Sequence, residues 1–154
     1  KVPNSISKVL IKNKYKLLHN GLINIFKIAS PKIAVLGVNP HAGESGTIGD
    51  EELSIIMPAI DELRHEGYDA NGPVSADTVF TRTEYDAVLS MYHDQALPVL
   101  KTIDFHKTVN ITLGLPFLRL SVDHGTAEDI AKNYSANHQS MMEALLISIT
   151  RNEA

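Results

Sequence analysis

Two short apolar runs, Ala87–Met91 and Val109–Leu113, each give way to ionisable side chains. His93 and Asp94 follow the first run; Arg119, Asp123 and His124 follow the second. A buried strand that stops and delivers polar groups at its end is how α/β enzymes build their sites. Pro98, Gly114, Pro116 and Gly125 punctuate the same region and fix turn geometry there. A third run, KIAVLGV at 32–38, precedes the polar loop NPHAGESGTIGDEE and its His41. These features point to an α/β enzyme rather than a structural protein.

Bulk properties narrow the class. At 154 residues the chain is long enough for a real core, and 44% hydrophobic with 21% charged residues suits a globular protein. A net charge of −4 gives no electrostatic case for nucleic acid or an anionic membrane. The absence of Cys excludes disulfides and thiolate metal sites and fits a cytoplasmic location. The absence of Trp argues against single-strand stacking platforms. No apolar run approaches the roughly 20 residues that span a bilayer. No signal peptide is visible, although the chain opens on Lys1 rather than Met.

Taken in order, Ser5 or Ser7 can cap a first helix, whose apolar face is Ile11, Tyr15, Leu18, Leu22 and Ile25. Lys8, Lys12, Lys14 and Lys16 form a solvated face opposite. Residues 32–38 read as a buried strand. Gly43, Gly46 and Gly49 in the following loop do not make the GxGxxG fingerprint. His41 there is either surface polarity or a ligand delivered by a strand end. Residues 50–66 read as a helix with Leu53, Ile56, Met57, Ile60 and Leu63 inward, Asp50, Glu51 and Glu52 at its positive end, and Gly67 as its stop. Pro58 predicts a kink or a late start. Residues 72–80 read as a turn followed by a short helical or irregular piece that Ser75 can cap.

Residues 85–91 form the next strand. Asp94 is then either a capping acid or the partner of a metal-bound His93. Arg119 lies in LPFLRLSV, where an unpaired charge is costly. Its partner is either an internal carboxylate or a substrate phosphate or carboxylate gripped bidentately. A helix opens at Thr126, with Asp129 completing an approximate capping box, and the Gly125 loop can receive a phosphate. His138, Met141, Met142, Leu145 and Ile149 trace one face of a terminal helix, a core or interface stripe.

The segments NPHAGESGTIGDEE, NGPVSADTVF, MYHDQALPVLK and VNITLGLPFLRLSVDHGTA, in this order, resemble the PdxA family, the 4-hydroxythreonine-4-phosphate dehydrogenases of pyridoxal phosphate (vitamin B6) synthesis. The likeness runs from about Val2 to the C-terminus. It implies an isocitrate/isopropylmalate dehydrogenase-like three-layer α/β sandwich, present as its C-terminal portion. It implies NAD(P)-linked oxidation and decarboxylation of 4-phosphooxy-L-threonine, a small phosphorylated hydroxy-amino acid, to 3-amino-2-oxopropyl phosphate. It further implies a divalent metal (Zn, Mg or Co) on three histidines. Two match His41 and His93, and Lys1 stands where the third would be.

Substrate-binding positions carry over to Lys101, Asn110 and Arg119, and cofactor binding to the HGTA loop, His124, Gly125, Thr126 and Ala127. The family's organisation implies a metal- and substrate-binding, dimer-forming domain over 1–124 and a segment, 125–154, that returns to a further domain ahead of residue 1. A homodimer is expected. Two other readings remain: a paralogue acting on an erythronate or threonate phosphate, and a non-catalytic remnant that binds metal or self-associates.

Overall fold

The structure is a computed structural model that describes residues 2–126, 128–133 and 135–151. Among these, two compact units are separated at residues 97 and 98.

In the first unit, α1 (Lys8–Asn24) is capped by Ser7, whose Oγ accepts from Leu10 N at 3.2 Å. β1 (Ile33–Leu36) is buried at every position. Its alternating side chains serve two cores, as strand geometry requires. Ile33 and Val35 join Ile11, Tyr15 and Leu22 of α1 and Ile60 and Leu63 of α2 (Met57–His65); Ala34 and Leu36 face the other way with Val79. A strand buried on both faces is the mark of a parallel sheet, and β1 is its centre. β2 (Ala70–Val74) and β3 (Ala87–Leu89) pair with β1 on either side, both parallel.

The helix expected over 50–66 starts late: Glu52–Ile56 is a π-helical stretch, and the α-helix begins at Met57, beside Pro58. It ends as expected at Gly67, with φ +93°, where Gly67 N and Tyr68 N donate to Arg64 O and Leu63 O. The lysine face of α1 is not simply solvated. Lys8 and Lys12 reach Glu62, and Lys12 and Lys16 reach Glu66, at 2.5–2.9 Å. β2 is the clearest departure from the sequence reading. ANGPV is poor in strand formers, yet pairing along β1 makes it a strand. Ser75 caps no helix; its hydroxyl donates to Asp77 Oδ1 at 2.6 Å.

The second unit contains most of α3 (Leu97–Asp104), the antiparallel hairpin of β4 (Val109–Thr112) and β5 (Arg119–Val122), α4 (Glu128–Ala131) and α5 (Gln139–Arg151). The run 109–113 is therefore not a buried strand of a parallel sheet. It is one half of a two-stranded hairpin, with α5 against it. The helix expected from Thr126 is short and begins at Glu128. In α5 the small residues Ser140 and Ala144 are buried, whereas Met141, Met142, Leu145 and Ile149 are each about half exposed. That stripe is not core.

Candidate metal and substrate site

The C-terminal ends of β1, β2 and β3 form one rim, as parallel strands require. Each is followed by polar residues: Asn39–His41, Ser75–Asp77 and Tyr92–Gln95. Residues from all three line a cavity of about 250 Å³ that includes Val38, Asn39, His41, Asp77, Tyr92 and Gln95. This is where open α/β sheets bind ligands.

His41 stands in an unusual loop. His41, Ala42, Gly43, Glu44 and Ser45 all have positive φ, between 41° and 79°. Four of the five carry a Cβ, and the left-handed conformation costs such residues about 1–2 kcal/mol each. Something must hold the loop there. Glu52, only 2% exposed, accepts from Val38 N at 2.7 Å and Asn39 N at 2.8 Å through Oε1, and from Asn39 Nδ2 at 2.9 Å through Oε2. The sequence reading gave Glu52 to the helix terminus; burial makes it a loop anchor instead. Neighbouring Glu51 also accepts from Asn39 Nδ2, and this bond holds its carboxyl below the ordinary value.

His41 Nδ1 lies 2.6 Å from Glu44 Oε1, and Nε2 lies 3.9 Å from Asp77 Oδ2. The hydrogen bond to Glu44, then the charges of Glu44 and Asp77, raise the imidazole's pKa. His93 follows β3 in the short 3₁₀ turn His93–Gln95, and its Nδ1 lies 2.7 Å from Asp94 Oδ1. Both imidazoles are thus paired to a carboxylate at Nδ1, the arrangement that orients Nε2 as a metal ligand. No three His, Asp or Glu side chains among the described residues are grouped to hold an ion. The chemistry of the donors fits a divalent metal as part of a ligand set, with two imidazoles where a catalytic ion usually takes three protein ligands.

Gln95 went unassigned in the sequence. It is buried, accepts from Met91 N at 2.7 Å and donates to Gly37 O at 2.6 Å, tying the end of β3 to the end of β1. It stands four residues beyond Met91, so the apolar run carries no spacing signal for it.

Within the second unit, register places Asn110 opposite Ser121 and Thr112 opposite Arg119, so all four share one polar face of the hairpin. Arg119 is exposed, which removes the premise that its charge needs an internal partner. Its Nη1 donates to Thr112 Oγ1 at 2.7 Å, and it makes no ion pair among the described residues. Asn110 is exposed on the same face. Lys101 is committed: Nζ donates to Asp123 O at 2.6 Å and pairs with Asp123 Oδ2 at 2.8 Å. His124, Gly125 and Thr126 are exposed, with His124 Nδ1 at 2.9 Å from Gly125 O. A Cβ at Gly125 would meet nothing within 4 Å, so this stretch by itself forms no closed cradle for a pyrophosphate. Ala127 lies outside the described residues, as does Lys1.

Comparison with known proteins matches residues 1–148 to the family model described as pyridoxal phosphate biosynthetic protein PdxA. The chain is 49% identical over 146 residues to the 4-hydroxythreonine-4-phosphate dehydrogenase of Xylella fastidiosa strain Temecula1, covering 93% of this chain and 44% of that protein. It is 52% identical over 143 residues to the enzyme of the same name from Wigglesworthia glossinidia brevipalpis, covering 91% and 43%. The chain therefore spans under half the length of the curated relatives it matches. The crystal structure of the Klebsiella pneumoniae 4-hydroxythreonine-4-phosphate dehydrogenase superposes with a TM-score of 0.84 at 40% identity, over 95% of this chain and 45% of that one. A terephthalate 1,2-cis-dihydrodioldehydrogenase from Burkholderia xenovorans superposes with a TM-score of 0.77 at 28% identity, over 97% and 48%.

Proposed function

Because the chain belongs to the PdxA family of pyridoxal phosphate biosynthetic proteins, we propose that it serves the NAD-dependent, metal-dependent oxidation and decarboxylation of 4-phosphooxy-L-threonine to 3-amino-2-oxopropyl phosphate. The observation that carries this reading is the pair of imidazole–carboxylate couples, His41 with Glu44 and His93 with Asp94, at the ends of adjacent parallel strands.

In this reading His41 and His93 hold a divalent cation through Nε2, and Glu44 and Asp94 orient the rings from behind. Such an ion supplies Lewis acidity toward the substrate's hydroxyl. A metal ligand must be neutral, so the protonation that Glu44 favours at His41 competes with the metal as pH falls. Arg119 takes the anionic end of the substrate. Four of its five donors remain beyond the bond to Thr112, and Asn110 beside it on the hairpin face orients the same group. Lys101 contributes its remaining proton, since Asp123 occupies the other two. His124, Gly125, Thr126 and Ala127 are assigned to the dinucleotide by family resemblance alone, and no step is derived through it.

The half-exposed stripe of α5 supports a segment 125–154 that packs on a further domain, while a homodimer built around residues 1–124 is assigned by family resemblance alone. Patches of that kind mark interaction surfaces. A cytoplasmic setting follows from the proposed pathway, and no helix among the described residues is long and apolar enough to cross a membrane.

A second reading, oxidation of another phosphorylated hydroxy acid such as an erythronate or threonate phosphate, is favoured by the diol dehydrogenase that shares this fold at 28% identity. The fold evidently carries more than one secondary alcohol. The test has two readouts on the 154-residue chain. Competition with a chromophoric chelator measures Zn²⁺ binding, which His41→Ala and His93→Ala should each abolish; binding unchanged in the double variant overturns the metal assignment. NADH formation is then followed with each phosphorylated acid plus metal. Turnover of only the erythronate or threonate phosphate installs the second reading, and turnover of only 4-phosphooxy-L-threonine supports the first.

A further inference from the structure

We propose that Glu52 and Gln95 are positioning residues that set the geometry of the two metal-ligating histidines; this rests on the reading of His41 and His93 as ligands. Glu52 and Gln95 are both more than nine-tenths buried, a costly place for a carboxylate or an amide unless every polar atom is engaged.

Among the described residues, every hydrogen bond their side chains make goes to the roots of the histidine loops. Glu52 holds the amides of Val38 and Asn39 and the side chain of Asn39. The loop then wraps around it: a Cβ on Gly43 would lie 2.6 Å from Glu52 Oε2, so the chain returns against the carboxylate two residues beyond His41. The left-handed turn carrying His41 is thus pinned on both sides by one side chain. Gln95 does the complementary task. Its amide joins Gly37 O, at the exit of β1, to Met91 N, at the exit of β3, and His93 lies two residues from each of Met91 and Gln95. Glu52 fixes where His41 leaves the sheet; Gln95 fixes the separation of the two exits. Metal ligation tolerates errors of only a few tenths of an ångström, and loops reach that precision only when their supports are locked.

The test is Zn²⁺ affinity of the folded chain, by competition with a chromophoric chelator, for wild type, Glu52→Gln, Gln95→Met, His41→Ala and the core control Ile60→Val. Glu52→Gln keeps one acceptor oxygen but sets a second amide N–H against Asn39 Nδ2, a mild change compatible with folding. Gln95→Met keeps the volume and removes both bonds. Melting temperatures are measured alongside.

The expected result is that both positioning variants bind Zn²⁺ roughly tenfold more weakly, as loss of outer partners does elsewhere, while Ile60→Val lowers the melting temperature with affinity unchanged. Wild-type affinity in both positioning variants, with loss in His41→Ala, overturns this proposal and leaves the metal assignment standing. An equal loss in Ile60→Val also overturns it, because general loosening then explains the effect. Retained affinity in His41→Ala removes the metal reading, and this proposal with it.

Discussion

Two glycines with the same sign of φ predict very different costs when each is replaced by alanine. Gly43 has φ +79° and Gly67 has φ +93°, so either substitution forces a Cβ into the left-handed region at about 1–2 kcal/mol. Their surroundings differ. A Cβ at Gly67 would meet nothing within 4 Å, whereas one at Gly43 would sit 2.6 Å from Glu52 Oε2 and 3.1 Å from its Cδ. That carboxylate cannot swing aside freely, because it accepts from Val38 N, Asn39 N and Asn39 Nδ2. Yielding costs at least one hydrogen bond to a charged acceptor, about 1.5–3 kcal/mol. Gly43→Ala should therefore lose about 2.5–5 kcal/mol and Gly67→Ala about 1–2. The gain from a stiffer unfolded chain, about 0.4–1 kcal/mol, applies to both and cancels in the difference. Urea unfolding of the two variants side by side measures that difference, expected near 2 kcal/mol, or roughly 4–8 °C in melting temperature. A gap below about 0.5 kcal/mol would refute the account of Glu52 as a fixed post.

The lysine ladder should make stability depend on pH. Hydrogen bonds from Lys12 and then Lys8 lower the Glu62 carboxyl from 4.5 to about 2 in the folded chain. Stability from a depressed acid is complete above the unfolded value and is lost as pH falls through the folded one. The advantage of wild type over Glu62→Gln, read as a urea midpoint, should hold near pH 6 and vanish between about pH 4.5 and about 2. It should also shrink with added salt; a difference constant in pH counts against the pairing. Ser7→Ala should destabilise by about 1 kcal/mol through loss of the α1 cap, and an unchanged urea midpoint would remove Ser7 from that role.

Periodicity was enough for α1, for β1 and for the stop of α2 at Gly67, because each depends on neighbours within a turn or on an unbroken apolar run. Motif order was enough for the family. The same logic failed at Glu52 and Arg119, which were read by local rules. Glu52 looked like one of three acids at a helix start, and only the fold wraps residues 37–43 around it. Arg119 looked trapped among leucines and phenylalanine, but a two-stranded hairpin leaves its polar face open. β2 was missed because ANGPV carries no strand propensity; its conformation is imposed by β1 across the sheet. The stripe of Met141, Met142, Leu145 and Ile149 had the right period for a buried face, yet α5 buries Ser140 and Ala144 instead.

By itself, the order of residues determined that the ionisable side chains of His41 and His93 follow strand ends. The residue types and the apolar runs before them are local properties of the polymer. Tertiary structure alone decided what holds those side chains still. The bonds of Glu52 to Val38 and Asn39 and of Gln95 to Gly37 join residues 13 to 58 positions apart. Contacts of that span form only once the chain has folded, so no local pattern records them.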